Sequence, residues 1–370
     1  MDRKTLYELA EFIPPYFEEH LEDKIDTIHK NQIKAGPHAP SFGMISDIHW
    51  ATNRKHSAAL LDRVLTDCAI PYFFNAGDLF SGQGICKPEA NIKEFIDYRK
   101  LFHKIEHKCL IAEGNHDAVY SLFEAPDYYA QNISLSAFYE YYFRHQAQYP
   151  DRVFGETGTY YYVDHEFTKL RLIVLDTHDI PSDETVEEGR PKYHKFRKTG
   201  TGIMQRQIDW FANTALDVPS PEWTVVLCTH EPMCYSKNNR NEVPGYGIIM
   251  NIINAFRKHT SFEGEELYED ERAHFSSRIS VDYTGRGGDF AVWVGGHTHY
   301  DCDLVLDGIL SVATLNDGMH NSNANPTPHE GESFREQAFD IYTIDKENHK
   351  LYITRIGAGN DREFEYEVFR

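Results

Sequence analysis

Five short islands of ligand-type residues lie along the chain in a fixed order. Four of them directly follow a short run rich in apolar and β-branched residues. The islands are Asp47-Ile48-His49, Gly77-Asp78, Gly114-Asn115-His116-Asp117, Thr229-His230-Glu231 and Gly295-Gly296-His297-Thr298-His299, set in FGMISDIHW, YFFNAGDLF, CLIAEGNHD, TVVLCTHEP and AVWVGGHTH. A buried strand ending in a carboxylate, an imidazole or an amide delivers that group to its carboxyl edge, where open α/β sheets bind their ligands. Two Asp, one Asn and four His are hard oxygen donors and neutral imidazoles. They suit a pair of divalent first-row metals better than a thiolate site does. A lone Gly-Asp, or a His-x-His in a chain with 20 His, would mean little. Their conjunction, in order and at strand ends, carries the reading.

The spacing between islands predicts a βαβ pattern. A strand ends at Asp47, a helix covers about 55 to 68, a second strand ends at Gly77, and a helix covers about 89 to 106. Ile92, Phe95, Ile96, Phe102 and Ile105 fall on one face of that second helix, and a third strand precedes Gly114. Apolar strands alternating with helices indicate a mainly parallel sheet buried on both faces. Ahead of it, residues 3 to 34 read as two helical pieces broken at Pro14-Pro15, with Phe17, Leu21, Ile25 and Ile28 on one stripe. We read residues 1–38 as an N-terminal helical extension packed on a domain that spans 39–370.

That domain is expected to carry insertions at about 118–160 and 233–290. The first opens on a Tyr/Phe-rich helical segment (121 to 149). The strand-like runs TYYYVDH and KLRLIVLDT and a helix over 203 to 217 come after it. The second is polar, with one helical piece near 247 to 258, and its ends are tethered between two ligand islands. It reads as a lid or specificity loop. Strand-like runs at 309–315, 338–344 and 350–356 complete the chain. The last two are joined by Asp-Lys-Glu-Asn-His as a hairpin of a second sheet, and Asn316–Glu332 is a loop.

The 370 residues carry 37 basic and 58 acidic side chains, a net charge of −21, which repels polyanions and disfavours nucleic acid as a partner. Divalent cations would reverse the sign locally, so a small-molecule or polymer phosphate ester is acceptable. The six Cys are scattered without a CxxC and read as buried small hydrophobes of a reducing compartment. No apolar run is long enough for a bilayer, and the start MDRKTLYELAEF has no signal-peptide core. No membrane partner is expected. The location expected is the cytoplasm, with a phage-associated or non-classically exported form as the alternative.

The islands resemble the signature of the calcineurin-like metallophosphoesterases, written D-x-H, G-D, G-N-H-[DE], H and G-H-x-H, over about residues 41 to 315. The resemblance implies an α/β fold, a four-layer α/β/β/α sandwich of two mixed β-sheets flanked by helices. It also implies a binuclear metal centre. Asp47, His49, Asp78 and His299 would hold one metal, and Asp78, Asn115, His230 and His297 the other, with Asp78 as bridge. The cofactors expected are two divalent metal ions, manganese first and Fe, Zn, Ni or Mg as alternatives. The activity implied is hydrolysis of a phosphate ester (phosphodiesterase or phosphatase, EC 3.1) by a metal-bridging hydroxide. His116 would be the general acid. Apart from the resemblance, Asp117 is the candidate to orient it, as its neighbour in sequence.

Two departures narrow this. The serine/threonine protein phosphatases of the family carry a second Asp and an Arg after Gly-Asp, and an Arg soon after GNHE. Here the stretches are GDLFSG and GNHDAVYS. Protein phosphatase is therefore disfavoured. The VDYTGRGGDF…GGHTH stretch and the QAFDIYTID…RIGAGNDREFEY tail resemble Gram-positive bacterial and phage members. They point to a cell-wall glycerol- or sugar-phosphate diester, or a small nucleotide. The competing reading is a catalytically inactive scaffold of the same fold, but such relatives lose the acid His or a bridging Asp, and both are present here.

Overall fold

The computed structural model describes residues 12–49, 51–80, 88–117, 139–179, 186–187, 190–191, 201–236, 243–269, 273–319 and 328–369. Helix α1 (Glu18–Ala35) turns the stripe Phe17, Leu21, Ile25 and Ile28 inward, all buried, and stops before Gly36-Pro37. The helical piece expected over residues 3–13 falls almost wholly outside the described residues. Strand β1 (Ser41–Ile45) is next, then α2 (Arg54–Asp67), β2 (Phe73–Asn75), α3 (Pro88–Leu101) and β3 (Cys109–Ile111). The three strands are parallel neighbours, as the βαβ spacing requires, and every residue in them is buried.

The second sheet is built from the middle of the chain. Strand β5 (Tyr161–His165) pairs antiparallel with both β4 (Arg152–Phe154) and β6 (Leu170–Val174). The short ribbon β7 (Val186–Glu187) with β8 (Arg190–Pro191) and helix α4 (Gln205–Trp210) lead to β9 (Thr224–Cys228). Helix α5 (Tyr246–Arg257) and the hairpin β10 (Ser261–Glu266) with β11 (Ser277–Asp282) separate β9 from β12 (Asp289–Gly295). Strands β13 (Cys302–Leu306) and β14 (Ile309–Ala313) complete the order β13-β14-β12-β9-β6-β5-β4. Its centre, β14-β12-β9-β6, is parallel. The stretch read as a lid is thus chiefly the β9-to-β12 crossover. Ile248, Ile249, Ile252, Ile253 and Phe256 of α5 are buried in the outer core of this sheet.

The C-terminal strands β15 (Ala338–Asp345), β16 (Lys350–Gly357) and β17 (Arg362–Glu365) form the expected hairpin and one strand more. They extend the first sheet and not the second. β15 pairs antiparallel with β1, setting Met44 opposite Asp340. Every residue of β15 is buried, so the hairpin's own apolar pattern holds nothing that selects one sheet edge over another.

Three large cores among the described residues make the four layers. Phe42, Met44 and Phe74 of the first sheet meet Val174, Val226, Val292 and Val312 of the second in the middle. The α1 stripe, Leu61 and Leu65 of α2, and Phe95 and Tyr98 of α3 cover the first sheet's outer face, and α4 and α5 cover the second's. Each large side chain so buried contributes about 1.5–3 kcal/mol relative to exposure. Sheets clamped on both faces give their carboxyl-end turns a rigid base. No helix among the described residues is long and apolar enough to cross a membrane.

Candidate metal centre

β1, β2, β3, β9 and β12 all point their carboxyl ends to one edge, and each ends in an island. Immediately past the strands the backbone turns sharply. Asp47, Asp78, His297 and His299 adopt φ of 52°, 52°, 65° and 58°, and His49 adopts 45°. Asp and His accept this left-handed region better than most residues. Such conformations persist where the surrounding structure over-determines them, and they gather at functional sites.

The ligating atoms fall into two groups that share one residue. Asp47, His49, Asp78 and His299 form the first and Asp78, His230 and His297 the second, with the potential ligand atoms of each group within 4.8 Å of one another. In the first, His299 Nε2 lies 3.2 Å from Asp47 Oδ1 and 3.0 Å from His49 Nε2. In the second, Asp78 Oδ2 lies 3.4 Å from His230 Nε2. Asn115 Oδ1 sits 3.0 Å from the same nitrogen and 2.9 Å from His297 Nδ1.

Neighbours set the tautomers. His49 Nδ1 donates to the Phe80 carbonyl at 3.0 Å, and His230 Nδ1 to the Ala76 carbonyl at 2.7 Å. A neutral ring that spends its proton there turns a bare Nε2 to the centre, the usual arrangement behind a metal-bound imidazole. Asp47 Oδ1 is buried without a hydrogen bond, whereas its Oδ2 accepts the His297 amide at 2.9 Å and the Ser46 hydroxyl. An orphaned carboxylate oxygen facing converging nitrogens fits a cation between them.

Without cations the same groups must balance through protons. Burial opposes charge on His230, but Asp78, Glu231 and Asp47 outweigh it and hold its pKa well above the usual value. Burial lowers His297 to about 3, aided by His230. Burial also opposes ionisation of Asp78, yet the histidines around it hold its carboxyl well below the usual range. Two divalent ions would displace these protons and do the balancing instead.

The loops are pinned by Asp117, whose carboxylate is fully buried. Its Oδ1 accepts Leu79 N at 2.7 Å, while Oδ2 accepts Asp78 N at 2.9 Å and Gly114 N and Tyr142 OH at 2.7 Å each. Burial first, and then the charge of Asp78, push it up to about 7. Three of these four partners are backbone amides, so Asp117 fastens the turns that carry Asp78 and Gly114. His116 donates its amide to Asp78 Oδ1 at 2.7 Å, and its ring stands edge-on to His49 with centroids 5.0 Å apart. Its Nδ1 has no hydrogen-bond partner among the described residues. A side chain at Gly114 would strike Asp78, and one at Gly296 would strike Ser46 and Asp47, so both approaches need glycine.

All nine sequence-singled residues therefore meet at one edge. Asp176, Thr177 and His178 lie just behind it: Thr177 donates to the buried Glu231 carboxylate, and His178 Nε2 is 3.4 Å from that group. Arg286 lies on the surface near Asp217 and outside the site. A support that sequence reading missed is the turn after β14. Asp317 N donates to Ser46 O at 2.8 Å and Gly318 N to Asp47 O at 3.1 Å, while Asn53 Nδ2 donates to Asp317 O at 2.7 Å. The signal was present, since Thr314-Leu315-Asn316-Asp317-Gly318 repeats the polar ending of a buried strand.

The sequence profile of the calcineurin-like phosphoesterase family matches residues 40–301, most of the chain and every island. The chain belongs to that family. No curated protein matches it. Among solved structures, this calcineurin-like phosphoesterase is similar to GAP50, the anchor in the inner membrane complex of Plasmodium, at 9% identity. That likeness covers 90% of both chains, with a TM-score of 0.44. It is also similar to the phosphopantetheinyl hydrolase of Mycobacterium tuberculosis, at 13% identity over 75% of this chain and 90% of that one, with a TM-score of 0.34. A third likeness is to vacuolar protein sorting 29 of Cryptosporidium parvum, at 12% identity over 88% and 98%, with a TM-score of 0.29. At such identities these likenesses say nothing of activity.

Proposed function

We propose that the chain hydrolyses phosphodiesters or phosphomonoesters with two divalent cations, Mn²⁺ first and Fe, Zn, Ni or Mg as alternatives. The observation that carries this reading is the carboxylate of Asp78, shared by two clusters of ligating atoms. Asp47, His49, Asp78 and His299 would hold one cation, and Asp78, Asn115, His230 and His297 the other. When bound, such a pair lowers the pKa of water and clamps phosphoryl oxygens for in-line displacement.

The chain's own residues supply the rest. Asp78 sets the spacing of the two sites, and Asn115 offers a neutral oxygen that leaves the second one electrophilic. His116, held by its amide on Asp78 and half exposed beside His49, is positioned to pass a proton to the leaving oxygen. Asp117 acts in this reading as a positioning residue, through the backbone amides it holds.

The test is elemental analysis of the purified chain after Mn²⁺ loading, joined to a panel of phosphomonoesters and diesters that includes glycerol- and sugar-phosphate diesters and small nucleotides. Two metals per chain with turnover of at least one class support the proposal. Two metals and no turnover would leave a binding scaffold, and fewer than two would remove the centre itself.

A further inference from the structure

Two cysteines outside the ligand set touch each other beside it. Cys234 lies four residues past His230 on a short 3₁₀ turn, and Cys302, three residues past His299, opens β13. Their Sγ atoms are 3.2 Å apart, and Cys234 Sγ also lies 3.7 Å from the Cys302 carbonyl. Cys234 N donates to Ser311 Oγ at 3.1 Å, which fixes the turn against β14. The pair sits in its own small apolar cluster with Ala313, flanked by Tyr300 and Leu304. Cys68 and Cys109 are buried under the helices of the first sheet, and Cys228 lies between the sheets.

We propose that Cys234 and Cys302 are a modification site, a dithiol that a peroxide converts to a disulfide, bracing the His230 turn against the His297–His299 turn. A disulfide has its sulfurs about 2.05 Å apart, roughly an ångström closer than these two stand. Cys302, 6% exposed against 1% for Cys234, is the side on which an oxidant arrives. Its thiol gives up a proton, the sulfur takes one peroxide oxygen as the O–O bond breaks, and a first water leaves. Cys234 Sγ then attacks that sulfenic sulfur, the S–S bond forms, the S–O bond breaks and a second water leaves. Two thiols are oxidised and one peroxide is reduced. The contact between the thiols, with burial, raises the Cys234 thiol far above its ordinary range, so its attack on the sulfenic sulfur is the slower step. The proposal is independent of the activity assigned above.

The full chain is treated with hydrogen peroxide in native buffer, digested without reduction and mapped by mass spectrometry. The result expected is loss of two hydrogens, with fragmentation placing the link between Cys234 and Cys302. Fragmentation matters because Cys228 shares a tryptic peptide with Cys234. No link, a link to any other cysteine, or a singly oxidised Cys302 would overturn the proposal. The linked, chelator-treated chain should also unfold at a higher temperature than the reduced chain, and dithiothreitol should reverse the difference. An unchanged midpoint would show that the link braces nothing.

Discussion

Asp117 holds Asp78 from behind: one carboxylate oxygen accepts the Asp78 amide at 2.9 Å and the Gly114 amide at 2.7 Å. Two island turns, one after β2 and the other after β3, are thereby fastened to a single acid. Asp117→Asn should keep the fold but loosen the shared carboxylate. Outer-shell losses of this kind typically cost about 10–100-fold in metal affinity. Chelator competition on the variant measures the effect, and unchanged affinity would reduce Asp117 to a packing role.

Asp78→Asn should strip charge from both clusters and leave less than one metal per chain after Mn²⁺ loading. His49→Ala should lose mainly one metal, because His49 belongs to a single cluster. Elemental analysis separates the two outcomes. Equal losses in both variants would argue against Asp78 as the shared ligand.

His116→Ala should damage hydrolysis of alkyl phosphate esters far more than that of p-nitrophenyl esters, whose leaving group is stable as an anion. General acid catalysis typically contributes about 10²- to 10⁴-fold. Steady-state kinetics on both leaving groups, in a variant shown to hold its metals, makes the comparison. Equal losses on the two would take His116 out of the proton transfer.

His20 fastens α1 to the first sheet in a pH-dependent way. Gly357 N donates to its Nε2 at 3.1 Å, and its ring stacks on Phe334 with centroids 4.3 Å apart. Burial first, then Lys24, lower it from 6.5 to about 4, so the folded chain carries it neutral. Between those values the unfolded chain binds more protons. The contribution is therefore whole above pH 6.5 and is lost as pH falls toward 4. His20→Phe keeps the stack but cannot be protonated. Urea unfolding at pH 7 and pH 5 should show a smaller drop in stability for the variant than for the parent chain.

The parts of the fold legible in the sequence are those with local causes. The α1 stripe, the α5 stretch and the strands before Asp47, Gly77 and His230 announce themselves by apolar period and by the residues that flank them. The ligand set was legible because each strand end states its donor. Long-range choices were not. Nothing in residues 338–357 says that they pair with β1, and Ser261–Glu266, written SFEGEE, is too polar to read as a strand before β11 is known to face it. Asn53 and the Cys234–Cys302 contact escaped for the same reason, since each joins residues far apart in sequence, whereas the turn at Asp317 carried a local signal in its polar strand ending.

The place of β15 beside β1 has a consequence for how the chain is made. β1 delivers Asp47, the first ligand to leave the ribosome, yet its second neighbour comes from residues 338–345. Until residues 338–345 are added, Ser41–Ile45 has β2 on one side and lacks its partner on the other. An unguarded edge invites pairing with the wrong strand. A nascent chain halted before residue 338 would carry all nine site residues and still lack the strand that closes the sheet beneath them.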